Sequence, residues 1–384
     1  MPRRLVGVQI AGSTAFLALA VLLAQTYGSL SIADFGFDRD RLVTAEFAPA
    51  SHGYDAGRSE RYTQAFLARV RALPGVTDAA LAHRVPFFIG FDRMTPVSSG
   101  GAPCEADACP KYATMAVGPE YFRTMGIPLT AGREFQAGGA PNEAIINQPL
   151  ARQQWPDGRG VGETLRIGER GRIVHVIGIT AKTNTRGLDR EAPTLYVPVS
   201  PGTYEDLVTV VARTASAPEA LIRPISDAAQ ALDENVALLS VKTMRQRMAV
   251  QLWPFRTVSW LFSICGGLAL VLATVGLAGV VIHGVNRRLR EFGVRVSMGA
   301  TPRDLVAEVL RGSARLLVPG LVVGTLLAAT AARLMQVAFI GVNVLNPLAY
   351  LAVALLECAV VIVACIGPAL RASRVDPLVA LRAQ

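Results

Sequence analysis

The sequence predicts an integral membrane α-helical protein with four transmembrane helices and a large α+β extracytoplasmic domain. Hydrophobic residues make up 51% of the 384 residues and charged residues only 17%, and the mean hydropathy is +0.37. Both the apolar excess and the shortage of charge depart from the composition of an ordinary soluble domain. Part of the chain is therefore expected to lie in lipid.

Four apolar segments are about long enough to cross a bilayer, which takes roughly 20 helical residues. They cover about residues 5–29, 257–283, 316–332 and 348–366. The first would be transmembrane helix 1 of a segment 1–29, and the other three fall in the segment 251–384. A signal peptide is the alternative for the first, because Arg3 and Arg4 precede the apolar run and Ala18-Leu19-Ala20 resembles a cleavage site. The apolar run continues past that site, which favours a membrane span.

The arginines beside these segments predict the orientation, since short cytoplasmic loops are enriched in basic residues. Arg3 and Arg4 precede the first span, a basic stretch follows the second, and Arg371, Arg374 and Arg382 follow the fourth. With the amino terminus inside, all three clusters are cytoplasmic and residues 30–250 lie outside. Clustering beside apolar spans favours the lipid bilayer, and not nucleic acid, as the partner of the net charge of +9.

The external segment 30–250 mixes amphipathic helices with short β-branched runs, which is typical of an α+β domain. Strands are predicted at 42–47, 79–82, 144–147, 173–179 and 207–212, and helices at 59–73 and 218–232. The stretch "GIPLTAGREF", residues 126–135, has the glycine and proline pattern of a turn that joins two subdomains.

The cysteines divide into two groups. Cys104 and Cys109 in "CEADAC" are the two outside the apolar spans, and an oxidising compartment would allow them to form a disulfide. A metal site is the weaker alternative, because no histidine lies nearby in sequence. Cys265, Cys358 and Cys365 lie in spans and are interpreted as small packing residues.

Motifs for catalysis are missing from the sequence. None of the three lysines follows a glycine, so the chain has no Gly-Lys-Ser/Thr phosphate loop for ATP, and it has neither HExxH nor GxSxG. The four histidines are scattered. We therefore expect no catalytic residues, no metal and no cofactor of its own, with any ATP bound by a partner subunit.

Two features of the predicted spans are candidates for a functional or packing role. Glu357 lies in the middle of span four, where a charge costs about 3 kcal/mol on insertion scales. It is either a proton or substrate group or a neutral or hydrogen-bonded carboxyl that faces the bundle, and the lack of a second acid in the span cores favours the latter. Glycines 266, 267, 276 and 279 of span two predict close helix packing, within the chain or with a second copy.

The loop between spans two and three, residues 286–311, contains more than a basic connector needs. Thr301 and Pro302 have the pattern of a helix N-cap followed by proline at the first helical position. Apolar residues alternate with arginines before a Gly-containing bend. A solvated connector is the simple alternative, but a connector has little reason to display an apolar face.

Several separated motifs carry a family resemblance. "RRLREFGVRVSMGATPRDLVAEVLR" (287–311) resembles the cytoplasmic loop of FtsX-like, MacB-type ABC transporter permeases, and "PALRASRVDPLVALR" (368–382) resembles their carboxy-terminal signature. "GPEYFRTMGIPLTAGREF" (118–135) and "RGLDREAPTLYVPVS" (186–200) resemble the MacB-like periplasmic core domain. The amino-terminal stretch is more similar to the second repeat of duplicated, eight-span relatives, and "CEADAC" departs from the family pattern.

The resemblance implies a MacB-like periplasmic core domain at 30–250 and an FtsX-like permease domain at 251–384 of a bacterial inner or plasma membrane protein. It implies a separate ABC ATPase subunit and a dimer with a second permease copy or homologous half. In such permeases the loop couples to the ATPase. The coupling residues implied here are Arg290, Glu291, Phe292, Gly293, Arg295, Met298, Gly299, Ala300 and Pro302.

The function expected from the resemblance is that of a permease subunit that transmits ATP-driven motion to the external domain, for export, efflux or lipoprotein-type handling. The main alternative is a membrane-anchored sensor that binds a ligand outside and signals inward. A kinase or cyclase module in the chain would favour a sensor, and the sequence contains neither.

Overall fold

The computed structural model describes residues 2–87, 94–100, 109–168, 171–183, 192–200, 207–287, 291, 298, 301–338 and 346–373. The chain divides into two compact units, Ala33–Gln251 and the combination of Met1–Ile32 with Leu252–Gln384. The first is a mixed sheet and helix unit, and the second is helical. The predicted fold class is confirmed.

Among the described residues, four helices are long and apolar enough to span a membrane, with candidate spans at Arg4–Ile32, Met244–Gly284, Ala307–Met335 and Pro347–Ile366. The helices themselves are α1 (Pro2–Ile32), α6 (Met244–Arg287), α7 (Pro302–Ala338) and α8 (Pro347–Ser373). Their large outward apolar side chains, such as Leu268 and Val271 of α6, are suited to lipid or to another apolar helix.

The described part of the extracytoplasmic unit contains eleven strands. They are β1 (Leu42–Phe47), β2 (Val76–Ala82), β3 (Met94–Ser99), β4 (Lys111–Val117), β5 (Leu129–Gly132), β6 (Glu143–Asn147), β7 (Thr164–Ile167), β8 (Arg172–Thr180), β9 (Thr194–Pro198), β10 (Val208–Thr214) and β11 (Leu238–Thr243). The helices of this unit are α2 (Ala56–Arg71), α3 (Tyr121–Met125), α4 (Gln148–Gln154) and α5 (Ile222–Gln230), with 3₁₀ turns at Pro49–His52 and Pro218–Leu221.

The strands form two regions of one sheet. Strands β11, β1, β10 and β2 are antiparallel neighbours in that order. Strands β4, β3, β7, β8, β6 and β9 pair in succession, and β9 pairs back on β4 in parallel, so these six strands close on themselves. The Ala82–Val117 pair joins the two regions. Closure leaves these six strands without a free edge in the ring.

Helices α2 and α5 cover one face of the open region. Asp55 caps α2 by accepting a hydrogen bond from the backbone N of Arg58 at 2.7 Å, and Tyr62, Phe66 and Val70 follow at four-residue spacing on its buried side. These side chains join Phe47 and the strand residues in one apolar cluster. A second cluster lies among the ring strands and α4.

The predicted strands 42–47, 79–82, 144–147, 173–179 and 207–212 correspond to β1, β2, β6, β8 and β10, and the two predicted helices correspond to α2 and to the 3₁₀ turn with α5. The sequence prediction missed β3, β4, β5, β7, β9 and β11. The stretch 126–135 is not only a turn: Gly126 is left-handed at φ 73° and ends α3, and the stretch then forms β5, which pairs with β8.

Candidate functional site

The predicted coupling loop is only partly described. Helix α6 ends at Arg287 and α7 begins at Pro302, the residue predicted at the first helical position. Glu291 and Met298 are exposed, Met298 at 77%. Arg290, Phe292, Gly293, Arg295, Gly299 and Ala300 lie outside the described residues. The coupling role of all nine residues stays a prediction.

The cysteines are placed as follows. Cys109 is disulfide-bonded, whereas Cys104 lies outside the described residues, so the Cys104–Cys109 pairing stays a prediction. Cys265, Cys358 and Cys365 are free, and Cys365 is buried with its Sγ 3.2 Å from Ser313 Oγ. Within the described part of the chain, no three His, Cys, Asp or Glu side chains come together as a metal site would need.

Glu357 of α8 is placed against α1, and only 1% of it is exposed. Ser13 Oγ lies 2.8 Å from Glu357 Oε1 and Thr14 Oγ1 lies 2.7 Å from Oε2, both within hydrogen-bond distance. The carboxyl therefore faces the interior of the bundle and is hydrogen-bonded. This arrangement agrees with the second of the two alternatives for Glu357, a neutral or hydrogen-bonded carboxyl that faces the bundle.

Small residues bring α7 close to α1 beside this polar group. A β-carbon added at Gly324 would lie 2.5 Å from Thr14 Cβ and 2.6 Å from the Ala11 carbonyl oxygen, and one at Gly320 would lie 2.6 Å from Ile10 Cγ2. These glycines form a G-x-x-x-G pattern, which permits close helix contact in membranes. The pattern is visible in the sequence but was not part of the sequence prediction.

The glycines predicted to pack in α6 have different surroundings. An added β-carbon at Gly266 would lie 2.8 Å from Leu17 Cγ, and one at Gly276 would lie 3.2 Å from Val6 Cγ2, so these two lie against α1. Nothing lies within 4 Å at Gly267 or Gly279. Close packing is therefore confirmed within the chain for two of the four.

The extracytoplasmic unit contains a buried ion pair that the sequence prediction missed. Arg247, in the first turns of α6, is 7% exposed and Glu46 of β1 is 8% exposed. Arg247 Nη1 donates to Glu46 Oε1 at 2.6 Å, and Nη2 donates to Thr44 Oγ1 at 2.9 Å. Thr243 and Gln246 cap the same helix start reciprocally, with two bonds of 3.1 Å. The sequence offers no local signal for a pair separated by 201 residues.

A second polar group lies near the start of α2. The Tyr54 hydroxyl donates to Asp233, and this bond, with those from Asn235, lowers the pKa of Asp233 to about 2. The Arg58 guanidinium lies 3.8 Å from the centroid of the Tyr54 ring. Burial raises the pKa of the neighbouring Tyr62 to about 12. These groups form a structural contact between the start of α2 and the segment that follows α5.

Comparison with known proteins decides the family. Residues 10–247, more than half of the chain, match the MacB-like periplasmic core domain. The chain belongs to this family. Residues 263–377 match the FtsX-like permease C-terminal domain. It is therefore an ABC-permease-type, multi-pass membrane protein with a MacB-like extracytoplasmic domain, and the predicted family and location are confirmed.

Curated relatives include the macrolide export ATP-binding/permease protein MacB of Shewanella sp. (strain ANA-3), 25% identical over 335 residues, which are 82% of this chain and 49% of the relative. The MacB protein of Agrobacterium fabrum is 24% identical over 252 residues, 62% of this chain and 38% of the relative. The chain thus spans about half of the length of the Shewanella relative.

Solved structures that are similar to the chain include two extracytoplasmic domains. The periplasmic region of MacB from Actinobacillus actinomycetemcomitans has 11% identity and a TM-score of 0.37, covering 56% of this chain and 94% of that one. The extracellular domain of the noncanonic ABC-type transporter YknZ from Gram-positive bacteria has 17% identity and a TM-score of 0.35, covering 52% and 100%.

Proposed function

We propose that this chain is the transmembrane subunit of an ABC transporter that carries ATP-driven motion from a cytoplasmic ATPase to its extracytoplasmic domain. The observation that carries the proposal is the joint match to the MacB-like core and FtsX-like permease domains along the chain. The named relatives are export ATP-binding/permease proteins, which supports an export, efflux or lipoprotein-type role. ATP would be bound by the partner subunit, and the chain would need no cofactor of its own.

The ATPase would dock on the segment between α6 and α7. The exposed Met298 supports this, since a large apolar side chain that is 77% exposed next to a basic stretch fits a protein contact better than a solvated connector. A second copy of the chain or a homologous half would complete the transporter. The outward apolar side chains of α6 would supply lipid or dimer contacts.

Substitutions in the loop test the proposal. Met298→Asp, or a bulky residue at Gly293, should abolish co-purification of the ATPase and its stimulated turnover and leave membrane insertion unchanged, because the change lies in water at a protein contact. Met94→Asp is the matched control, since Met94 of β3 is also exposed, at 40%, but lies in the extracytoplasmic unit.

Equal co-purification and turnover in the Met298→Asp and Met94→Asp variants would reduce the loop to a connector. If no P-loop ATPase co-purifies even with the unsubstituted protein, the membrane-anchored sensor becomes the better reading.

A further inference from the structure

Four short oxygen–oxygen contacts connect the carboxyl of Glu357, the hydroxyls of Ser13 and Thr14, and the carbonyl of Ile10. Ser13 Oγ lies 2.8 Å from Glu357 Oε1 and 3.0 Å from the Ile10 carbonyl oxygen. Thr14 Oγ1 lies 2.7 Å from Glu357 Oε2 and 2.8 Å from the same carbonyl. All four distances lie in the range of O–H···O hydrogen bonds, so a hydrogen between the two oxygens stabilises each contact.

Counting hydrogens separates the two protonation states. Each hydroxyl supplies one hydrogen, and an ionised carboxylate and a carbonyl supply none. With a carboxylate, two hydrogens serve four contacts, so each hydroxyl must divide its one hydrogen between the carboxylate and the Ile10 carbonyl oxygen.

A protonated carboxyl supplies a third hydrogen. Its Oε2–H can donate to Thr14 Oγ1, which leaves the Thr14 hydrogen free to donate to the Ile10 carbonyl oxygen. The Ser13 hydrogen then donates to Oε1. Three of the four contacts then have a hydrogen between their oxygens. The contact without one, between Ser13 Oγ and the Ile10 carbonyl oxygen, is the longest at 3.0 Å.

The surroundings also disfavour a charge. Glu357 is 1% exposed, and in the described part of the chain its oxygens meet hydroxyls, while the ion pairs involve other carboxylates. A buried carboxylate without a cation pays a large desolvation cost, which the neutral acid avoids.

We propose that Glu357 holds a proton in the folded membrane unit and acts as a neutral clasp that joins α8 to α1 through Thr14 and Ser13. Position 357 therefore requires a hydrogen-bond donor and an acceptor, and not a negative charge. Gly324 of α7 also packs against Thr14, so Thr14 contacts two helices, and release of the proton from Glu357 would loosen the clasp.

Infrared spectroscopy of the purified full-length protein in lipid nanodiscs tests for the proton. The difference spectrum between the unsubstituted protein and Glu357→Gln at neutral pH should show loss of one carboxylic-acid carbonyl band. A difference confined to carboxylate bands would overturn the proposal.

Thermal stability in the same nanodiscs tests the clasp. Glu357→Gln should keep the Tm of the unsubstituted protein, because the amide both donates and accepts, whereas Glu357→Leu should lower it. The double variant Ser13→Ala/Thr14→Val should lower the Tm too, and it keeps the test valid if Glu357→Leu does not fold. Thr274→Val is the control, since the Thr274 hydroxyl of α6 donates to Leu270 of its own helix, and it should leave the Tm unchanged.

A Glu357→Gln variant as unstable as Glu357→Leu would show that the charge is needed. A Ser13→Ala/Thr14→Val variant as stable as the unsubstituted protein would show that there is no clasp. Neither measurement involves an ATPase, so failure here is distinct from failure of the proposed transport function.

Discussion

Arg247→Met should destabilise the contact between the start of α6 and β1 strongly. The substitution removes the cation but leaves Glu46, 8% exposed, without its partner. Removing one partner of a buried pair costs about 3–5 kcal/mol. Thr44 also loses two contacts, at 2.9 and 3.2 Å, from the guanidinium. The upper half of that range is therefore expected.

Amide hydrogen exchange of the purified protein in detergent measures this loss, because exchange reports the free energy of local opening. A change of about 4–5 kcal/mol corresponds to exchange that is roughly 10³- to 5 × 10³-fold faster. The effect should appear in peptides from β1 and β11, since β1 pairs with β11, and in the first turns of α6.

Two further variants test whether the loss of protection comes from the unpaired buried charge. Arg245→Ala removes a pair with Asp40 at 2.9 Å whose side chains are 72% and 54% exposed, and exposed pairs contribute about 0–1 kcal/mol. Adding Glu46→Leu to Arg247→Met should recover most of the lost protection, because no buried charge then remains unpaired. Equal exchange rates in the Arg247→Met and Arg245→Ala variants would refute the reasoning.

Two further predictions concern packing and pH. Gly324→Leu should force α7 away from α1 at a cost of about 1–3 kcal/mol, which would be measured as a lower Tm in nanodiscs. Gly312→Leu on the same helix is the control and should change the Tm little, because nothing lies within 4 Å of a β-carbon added there. Equal Tm shifts in the two variants would contradict close packing at Gly324. Burial raises the pKa of Tyr62 from 10.0 to about 12, so the unfolded state loses its proton first and stability falls as pH rises from 10 towards 12. Tyr62→Phe should reduce that fall in an alkaline unfolding series, and an identical pH profile would argue against it.

The elements predicted from sequence are those with a strong local pattern. Residues 208–212 are rich in Val and Thr, and residues 42–47 combine Val and Thr with Leu and Phe; both segments lie in the centre of the open sheet region, where β-branched and aromatic side chains pack well. Helix α2 has both a cap and an apolar stripe. The spans were predicted because length and hydropathy alone define them.

The missed strands lack such a pattern. Strand β3 contains Pro96, which normally argues against a strand, yet it pairs with β4 on one side and β7 on the other. Strand β5 has Gly132 at φ 79°, where an added β-carbon would lie 2.1 Å from the Ile177 carbonyl oxygen. Their strand state depends on distant partners in the closed ring, which no local window contains.

The residues of the candidate sites likewise divide into those with a local sequence signal and those without one. A charge in the middle of a span singles out Glu357 in the sequence, but its partners on α1 lie 343 and 344 positions away and have no local signature. The same holds for Arg247 and Glu46. The close helix packing at Gly320 and Gly324 was predictable from the sequence, because glycines at four-residue spacing in an apolar helix are themselves the signal for it.

The placement of these groups bears on what crosses the membrane. A path for polar cargo needs polar side chains or water between helices. In the span cores at 5–29, 257–283, 316–332 and 348–366 the sequence has one acid, Glu357, and both of its oxygens are hydrogen-bonded to hydroxyls of α1. Gly320 and Gly324 of α7 let this helix pack closely against Ile10, Ala11 and Thr14 of α1, which leaves little space for a path between the two helices. This inventory favours a bundle that transmits movement over one that conducts solute, so any substrate would be handled by the extracytoplasmic unit or drawn from the outer leaflet.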